Sequence, residues 1–248
     1  MKILNLVIHN SHIEIYEKMY NVLSPFYKRL DFVETFFIEY DETLDCEYQV
    51  NGDMLKLKGT ESMIPGLLHK TIDALLILRK IGKEYDWIIR SNMSTVINFN
   101  ILKTLLNKNL NYFGDVRELY GVDAISGIHE EEAKELKGLH FASGNMIGLS
   151  NEYANALLLY RHKLHFNLID DVSIAVLFKE YYPDISCQTL PNKLTANIIN
   201  EIDKETINNY NFMNNPVAWR NRNDNREIDI INMQIIVEVL NNSKNVNA

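Results

Sequence analysis

The run Tyr85–Ile97, YDWIIRSNMSTVI, constrains this chain more than any other stretch. Its first residues are aromatic and β-branched, the composition of a strand covered on both faces of a sheet. It turns polar at Arg90-Ser91-Asn92 and, after Met93, continues Ser94-Thr95. A buried strand that breaks into a charged, hydroxyl-rich loop marks the carboxyl edge of an open α/β sheet, where such folds hold their ligands. The same pattern also fits an ordinary strand-to-helix connection capped by Ser or Thr.

The flanking segments supply the rest of such a sheet. Ile3–Ile8 alternates like a strand and ends at His9-Asn10-Ser11, where Asn10 or Ser11 can cap a helix. Ile13, Tyr16, Met19, Tyr20 and Leu23 recur at helical spacing, and Pro25 is expected to bend or end that helix. Phe32–Tyr40 reads as a second strand, so the chain opens as strand, helix, strand, in Rossmann-like order. No Gly-x-Gly-x-x-Gly follows the first strand, and a dinucleotide cofactor gains no support. Glu47–Lys58 reads as a hairpin about Asn51-Gly52. The spacing of Leu68, Ile72, Leu75, Leu76 and Leu78 predicts a helix over Gly66–Ile81.

Beyond Arg90 the pattern predicts a helix near Asn98–Asn107 and a β-like stretch over Tyr112–Ser126. A short charged helix at Glu130–Lys137, a strand at His140–Ser150 and a helix from Asn151 through Leu159 follow. Val172–Tyr181 is a further helix, Ile185–Leu190 a late strand and Arg226–Leu240 a closing helix. Together these give an α/β fold with a mixed, mainly parallel sheet flanked by helices. A chain of 248 residues can bury on the order of 70–75% of its unfolded surface in one core. With 10 Gly and 5 Pro it shows no linker, so residues 1–248 are expected to form one domain.

Charge and cysteines narrow the setting. A formal net charge of -8 argues against a nucleic-acid partner. Cys46 and Cys187 stand in no metal-ligand spacing, so a reducing compartment is the default. No apolar run reaches the length of a signal peptide or membrane span, and a cytoplasmic protein is expected.

Several residues carry two readings each. Ser143-Gly144-Asn145 interrupts a strand, either as a bulge or where backbone approaches a ligand. Asp170-Asp171 either meets a helix dipole or performs acid–base chemistry. Lys70 either contacts a ligand or sits exposed on an amphipathic helix. Trp87 reads as core, whereas Trp219, beside Arg220 and Arg222, is a candidate wall of a binding groove. His69, His129, His140, His162 and His165 have no ligand-like spacing with carboxylates.

Four segments, in order, carry a resemblance: PGLLHKTIDALL (Pro65–Leu76), YDWIIRSNMSTVINFNIL (Tyr85–Leu102), FASGNMIGLS (Phe141–Ser150) and IDDVSIAVLF (Ile169–Phe178). They resemble GT-A-fold glycosyltransferases of the group around fringe and the β-1,3-galactosyl- and N-acetylglucosaminyltransferases. The resemblance runs from the first strand to Phe178. It implies a GT-A, Rossmann-like fold and inverting transfer of a hexosyl or N-acetylhexosaminyl unit. The implied donor is a nucleotide-diphosphate sugar, a UDP-sugar, and the acceptor a hydroxyl of a glycan or other molecule. On this resemblance Asp171 is the candidate base, with Asp170 as the alternative. His9, Asn10, Lys70, Arg90, Asn92 and Ser94 are expected to hold the donor, and Ser143, Gly144 and Asn145 to lie by the acceptor sugar.

One departure stands out. The family's Asp-x-Asp corresponds to Asn92-Met93-Ser94. Carboxylates there would hold Mn²⁺ or Mg²⁺ against the diphosphate, whereas neutral Asn and Ser oxygens bind a hard cation weakly. No histidine follows the acidic pair, His165 being the last. Mn²⁺ or Mg²⁺ is therefore expected to bind weakly or only together with the donor. Arg220 and Arg222 are the candidates to neutralise the diphosphate, unless they form a solvated basic stretch. A helix N-terminus favours ionised carboxylates, so Asp171 is expected to have a lowered pKa. The rival reading is a non-catalytic nucleotide-sugar or glycan-binding module on the same fold.

Overall fold

Six consecutive buried residues, Ile3–Ile8, form strand β1, and their alternation builds both sides of the molecule. Leu4, Leu6 and Ile8 join one hydrophobic cluster, while Ile3 and Val7 join another. The computed structural model describes residues 1–183, 186–190, 195–214 and 216–242. After β1 come α1 (Glu14–Tyr27), β2 (Val33–Tyr40), β3 (Tyr48–Asn51), β4 (Met54–Leu57) and α2 (Gly66–Lys80). The middle of the chain forms β5 (Trp87–Asn92), β6 (Thr95–Ile97), α3 (Phe99–Leu105), β7 (Tyr112–Glu118), α4 (Glu130–Glu135) and β8 (His140–Ser150). Then follow α5 (Asn151–Leu159), α6 (Asp170–Tyr181), β9 (Thr195–Ile198), α7 (Lys204–Asn214), β10 (Ala218–Asn221) and α8 (Arg226–Asn242).

The main sheet has seven strands in the order β3-β4-β2-β1-β5-β8-β7. Its centre, β4-β2-β1-β5, is parallel, and β8 runs antiparallel to both β5 and β7. Residues of α2, α5 and α6 pack on the Leu4 side, and residues of α1, α3 and α8 on the Ile3 side. A smaller sheet, β6-β10-β9, contributes to the second side. Register fixes the site: Ile8 lies opposite Asn92, so the polar ends of β1 and β5 sit side by side.

The structure departs from the sequence pattern in several places. Helix α1 continues through Pro25 to Tyr27 rather than ending there. A proline inside a helix costs about 3 kcal/mol. Fully buried apolar side chains contribute roughly 1.5–3 kcal/mol each, and Leu23, Phe26 and Tyr27 are buried around it. The β-like stretch from Tyr112 stops at Glu118, because its partner strand begins at His140, directly opposite. The helix near Asn98 is shorter, Phe99–Leu105, with the Asn98 side chain accepting from the Ile101 amide. Of the expected strand Ile185–Leu190, Ile185 lies outside the described residues, and Gln188 makes one isolated bridge to Phe113. Trp219 is fully buried in the second cluster and lines no groove. Strands β6, β9 and β10 and helix α7 have no counterpart in the sequence reading; the three strands are short and form only by pairing with one another.

Candidate functional site

The carboxyl ends of β1 and β5 open into a cleft of about 780 Å³. That lies within the roughly 300–1,000 Å³ typical of small-molecule sites. It gathers His9 and Asn10 from β1's end, Lys70 from α2, and Arg90, Asn92 and Ser94 from the β5 end. Ser143, Gly144 and Asn145 of β8 and Asp170 and Asp171 of α6 join them, as does Arg220 of β10. Arg222 does not line it and is exposed. Residues that sequence reasoning did not single out complete the wall, among them Tyr16, Glu61 and Arg226.

The acidic pair is organised around Arg90, which is 2% exposed. Its guanidinium donates to the Asn92 Oδ1 at 2.9 Å and to the Gly144 carbonyl at 2.5 Å, and pairs with Asp170 Oδ2 at 2.6 Å. Asp171 Oδ2 accepts the Gly144 amide at 2.8 Å, and Oδ1 the Val172 amide at 2.8 Å. Gly144 permits this approach: a Cβ there would meet Arg90 Nη1 at 3.0 Å and Asp171 Oδ2 at 3.5 Å. The β7–β8 ladder also shifts register here, from Gly114–Ile147 to Val116–Ala142. The strand break is therefore a bulge, at which Gly144 admits the Arg90 and Asp171 side chains.

The expected lowering of the Asp171 pKa is overturned. Burial, and then the neighbouring Asp170 carboxylate, push it up to about 7, against the pull of the Gly144 amide and Arg90. Desolvation of this largely buried charge outweighs the helix N-terminus. Of the two carboxylates, Arg90 pairs directly with Asp170. A carboxyl group titrating near neutrality is matched to proton transfer at physiological pH.

His9 and Lys70 are fully buried, so Lys70 is not an exposed helix lysine. Lys70 Nζ donates to Glu61 Oε1 at 2.5 Å, Oε2 at 2.6 Å and the His9 carbonyl at 2.9 Å. Burial pushes its ammonium below the ordinary lysine range against the attraction of Glu61. His9 Nδ1 lies 2.8 Å from Glu39 Oε2, and Nε2 3.3 Å from Glu17 Oε1. Burial favours the neutral form of Glu39, but hydrogen bonds from His9, Lys56 and the Ser11 amide hold it down at about 2. Both basic side chains thus brace the rim through glutamates that the sequence left unremarked. A lone Glu61 upstream of Pro65 carries no periodic signal.

Arg220 differs from them. It makes a long hydrogen bond to Thr95 Oγ1 at 3.4 Å and has no carboxylate partner among the described residues. Burial pushes its guanidinium down to about 10, with Arg226, Arg222 and Arg90 adding repulsion and Tyr16 opposing. A half-buried cation among like charges gains from a nearby anion. Arg226 itself is paired with Asp229 at 2.9 Å.

Asn92-Met93-Ser94 offers a divalent cation neutral oxygens only, and two of them are already engaged. The Asn92 oxygen already accepts from Arg90, the Ser94 carbonyl accepts the Asn221 amide at 2.9 Å, and Met93 is buried. Among the described residues no group of three or more His, Cys, Asp or Glu is placed to hold a metal ion. Nor is any helix among them long and apolar enough to cross a membrane.

No protein-family model matches this chain, and no curated protein matches it. Among solved structures it is similar to the crystal structure of a glycosyltransferase involved in the glycosylation of the major capsid of PBCV-1. The two are 9% identical with a TM-score of 0.45, over 94% of this chain and 100% of that one.

Proposed function

We propose that this protein transfers a sugar from a nucleotide-diphosphate donor to an acceptor hydroxyl, with inversion and Asp171 as general base. The observation that carries this reading is one cleft holding two opposed features: Arg220, without a carboxylate partner among the described residues, and the buried Asp170–Asp171 pair. A sugar diphosphate is an anion joined to an electrophilic carbon, and it spans such a pair of features. UDP as the nucleotide, and a hexose or N-acetylhexosamine as the sugar, rest on the resemblance to the fringe group.

In the reaction the ionised Asp171 takes the proton of the acceptor hydroxyl. The acceptor oxygen forms a bond to the anomeric carbon as the bond from that carbon to the diphosphate breaks. The electron pair leaves on the diphosphate, whose added charge Arg220 stabilises. Two backbone amides fix the Asp171 carboxylate, which suits a base better than a nucleophile that must swing toward carbon.

Titration with UDP tests the anion half. Arg220→Ala is expected to weaken UDP binding roughly 10–100-fold, the range of a charge-assisted hydrogen bond. EDTA is expected to leave UDP affinity and transfer unchanged. An unchanged affinity in Arg220→Ala together with loss of binding in EDTA would overturn the metal-independent arrangement. The binding-module reading is favoured by the neutral Asn92 and Ser94. UDP binding without transfer or donor hydrolysis across a panel of nucleotide sugars would select it.

A further inference from the structure

Beside the cleft lies a second cavity of about 180 Å³, and Asp171 lines both. Its other walls include Tyr120, Asp123, Ser126, Phe141 and Val172. The loop that forms it, between β7 and α4, carries three large apolar side chains in solvent: Tyr120 is 74%, Val122 60% and Ile125 73% exposed. Three such side chains within six residues make this loop a candidate binding surface.

The loop is built, not slack. The Asp123 and Ile128 backbones exchange two hydrogen bonds of 2.9 Å, and Ser126 Oγ donates to Asp123 Oδ2 at 2.7 Å. Gly127 takes a φ of 76°, and a Cβ there would fall 2.0 Å from the Asn167 carbonyl oxygen. The Tyr120 hydroxyl donates to Glu118 at 2.8 Å, which fixes its ring. The Ile169 amide donates to the Ser126 carbonyl at 2.9 Å, tying the loop to the residue just before the acidic pair.

We infer that this smaller cavity is the acceptor subsite and takes one sugar ring of a neutral glycan, with the exposed loop as its apolar wall. The inference rests on the transfer reading above and moves the acceptor from Ser143–Asn145 to the second cavity that Asp171 lines. The acceptor oxygen has to touch the anomeric carbon and the Asp171 carboxylate at once, so the two sugars would meet where both cavities reach Asp171. The volume is below that of drug-sized sites and suits a single ring. Tyr120 and Phe141 offer flat aromatic faces to the C–H side of a sugar, while Asp123 and Ser126 offer polar groups. No lysine or arginine lines the cavity, whereas Glu118 and Asp123 do, so an anionic acceptor is disfavoured.

Amide NMR of the full chain tests this. UDP is added first, then methyl glycosides of glucose, galactose, N-acetylglucosamine and fucose, with methyl glucuronide as the anionic probe. At least one neutral glycoside at millimolar concentration is expected to shift amides of 118–128 and Phe141. Tyr120→Ala should weaken that binding by on the order of tenfold, and Ile125→Ser is a second variant at an exposed position. Neutral glycosides that shift only Ser143–Asn145, or nothing, overturn the inference, as does glucuronide binding equally well. A chain that shifts with glycosides at the loop but not with UDP keeps this sugar site and loses the transferase reading.

Discussion

Asp171→Asn is expected to keep the fold and the UDP affinity and to lose about 10²–10⁴-fold in transfer, the usual effect of removing a positioned base. Asn retains the shape and one acceptor oxygen but cannot take a proton. In the parent protein, activity should rise with pH through about 7, as Asp171 loses its proton. Stability should move the opposite way. The folded chain binds this proton more tightly than the unfolded chain, where the carboxyl has its ordinary value near 3.8. The stabilising contribution is thus complete below about 4 and is lost as pH climbs through about 7. Asp171→Asn should flatten that part of the Tm-against-pH curve. Transfer within a few-fold of the parent, or an unchanged pH profile, would remove Asp171 from the role. Asp170→Asn is a poorer control, because it breaks the buried pair with Arg90.

The second large effect is on the fold itself. Arg90→Met should destabilise the protein by about 3–5 kcal/mol, since it leaves the Asp170 carboxylate buried without its partner. Against a typical total of about 5–15 kcal/mol, that is a large share. Arg90→Lys should fall between, because one ammonium replaces a planar fork that reaches Asn92, Gly144 and Asp170 together. The double variant Arg90→Met/Asp170→Leu should regain much of the loss, because replacing a whole buried pair with apolar groups is often close to neutral. Denaturant midpoints decide it. A single Arg90→Met as stable as the parent, or a double variant no better than the single, would show that the pair is not what holds this corner.

Much of the scaffold was legible in the amino-acid order. The bounds Ile3–Ile8, His140–Ser150 and Asn151–Leu159 follow from apolar periodicity and caps, and the structure has strands and a helix over those residues. The abrupt polar ends of β1 and β5 were also visible, and parallel pairing alone brings them together. Such signals lie within a few residues of each other, so a linear reading captures them. What escaped it depends on burial and on partners far along the chain. The Pro25 helix survives because neighbouring side chains find a core. Lys70 meets the His9 carbonyl 61 residues away, and Arg90 meets that of Gly144 across 54. Asp171 looked like an ionised first-turn residue from its sequence neighbours. Only the tertiary structure encloses it beside Asp170, and desolvation there outweighs the helix N-terminus that local sequence supplies.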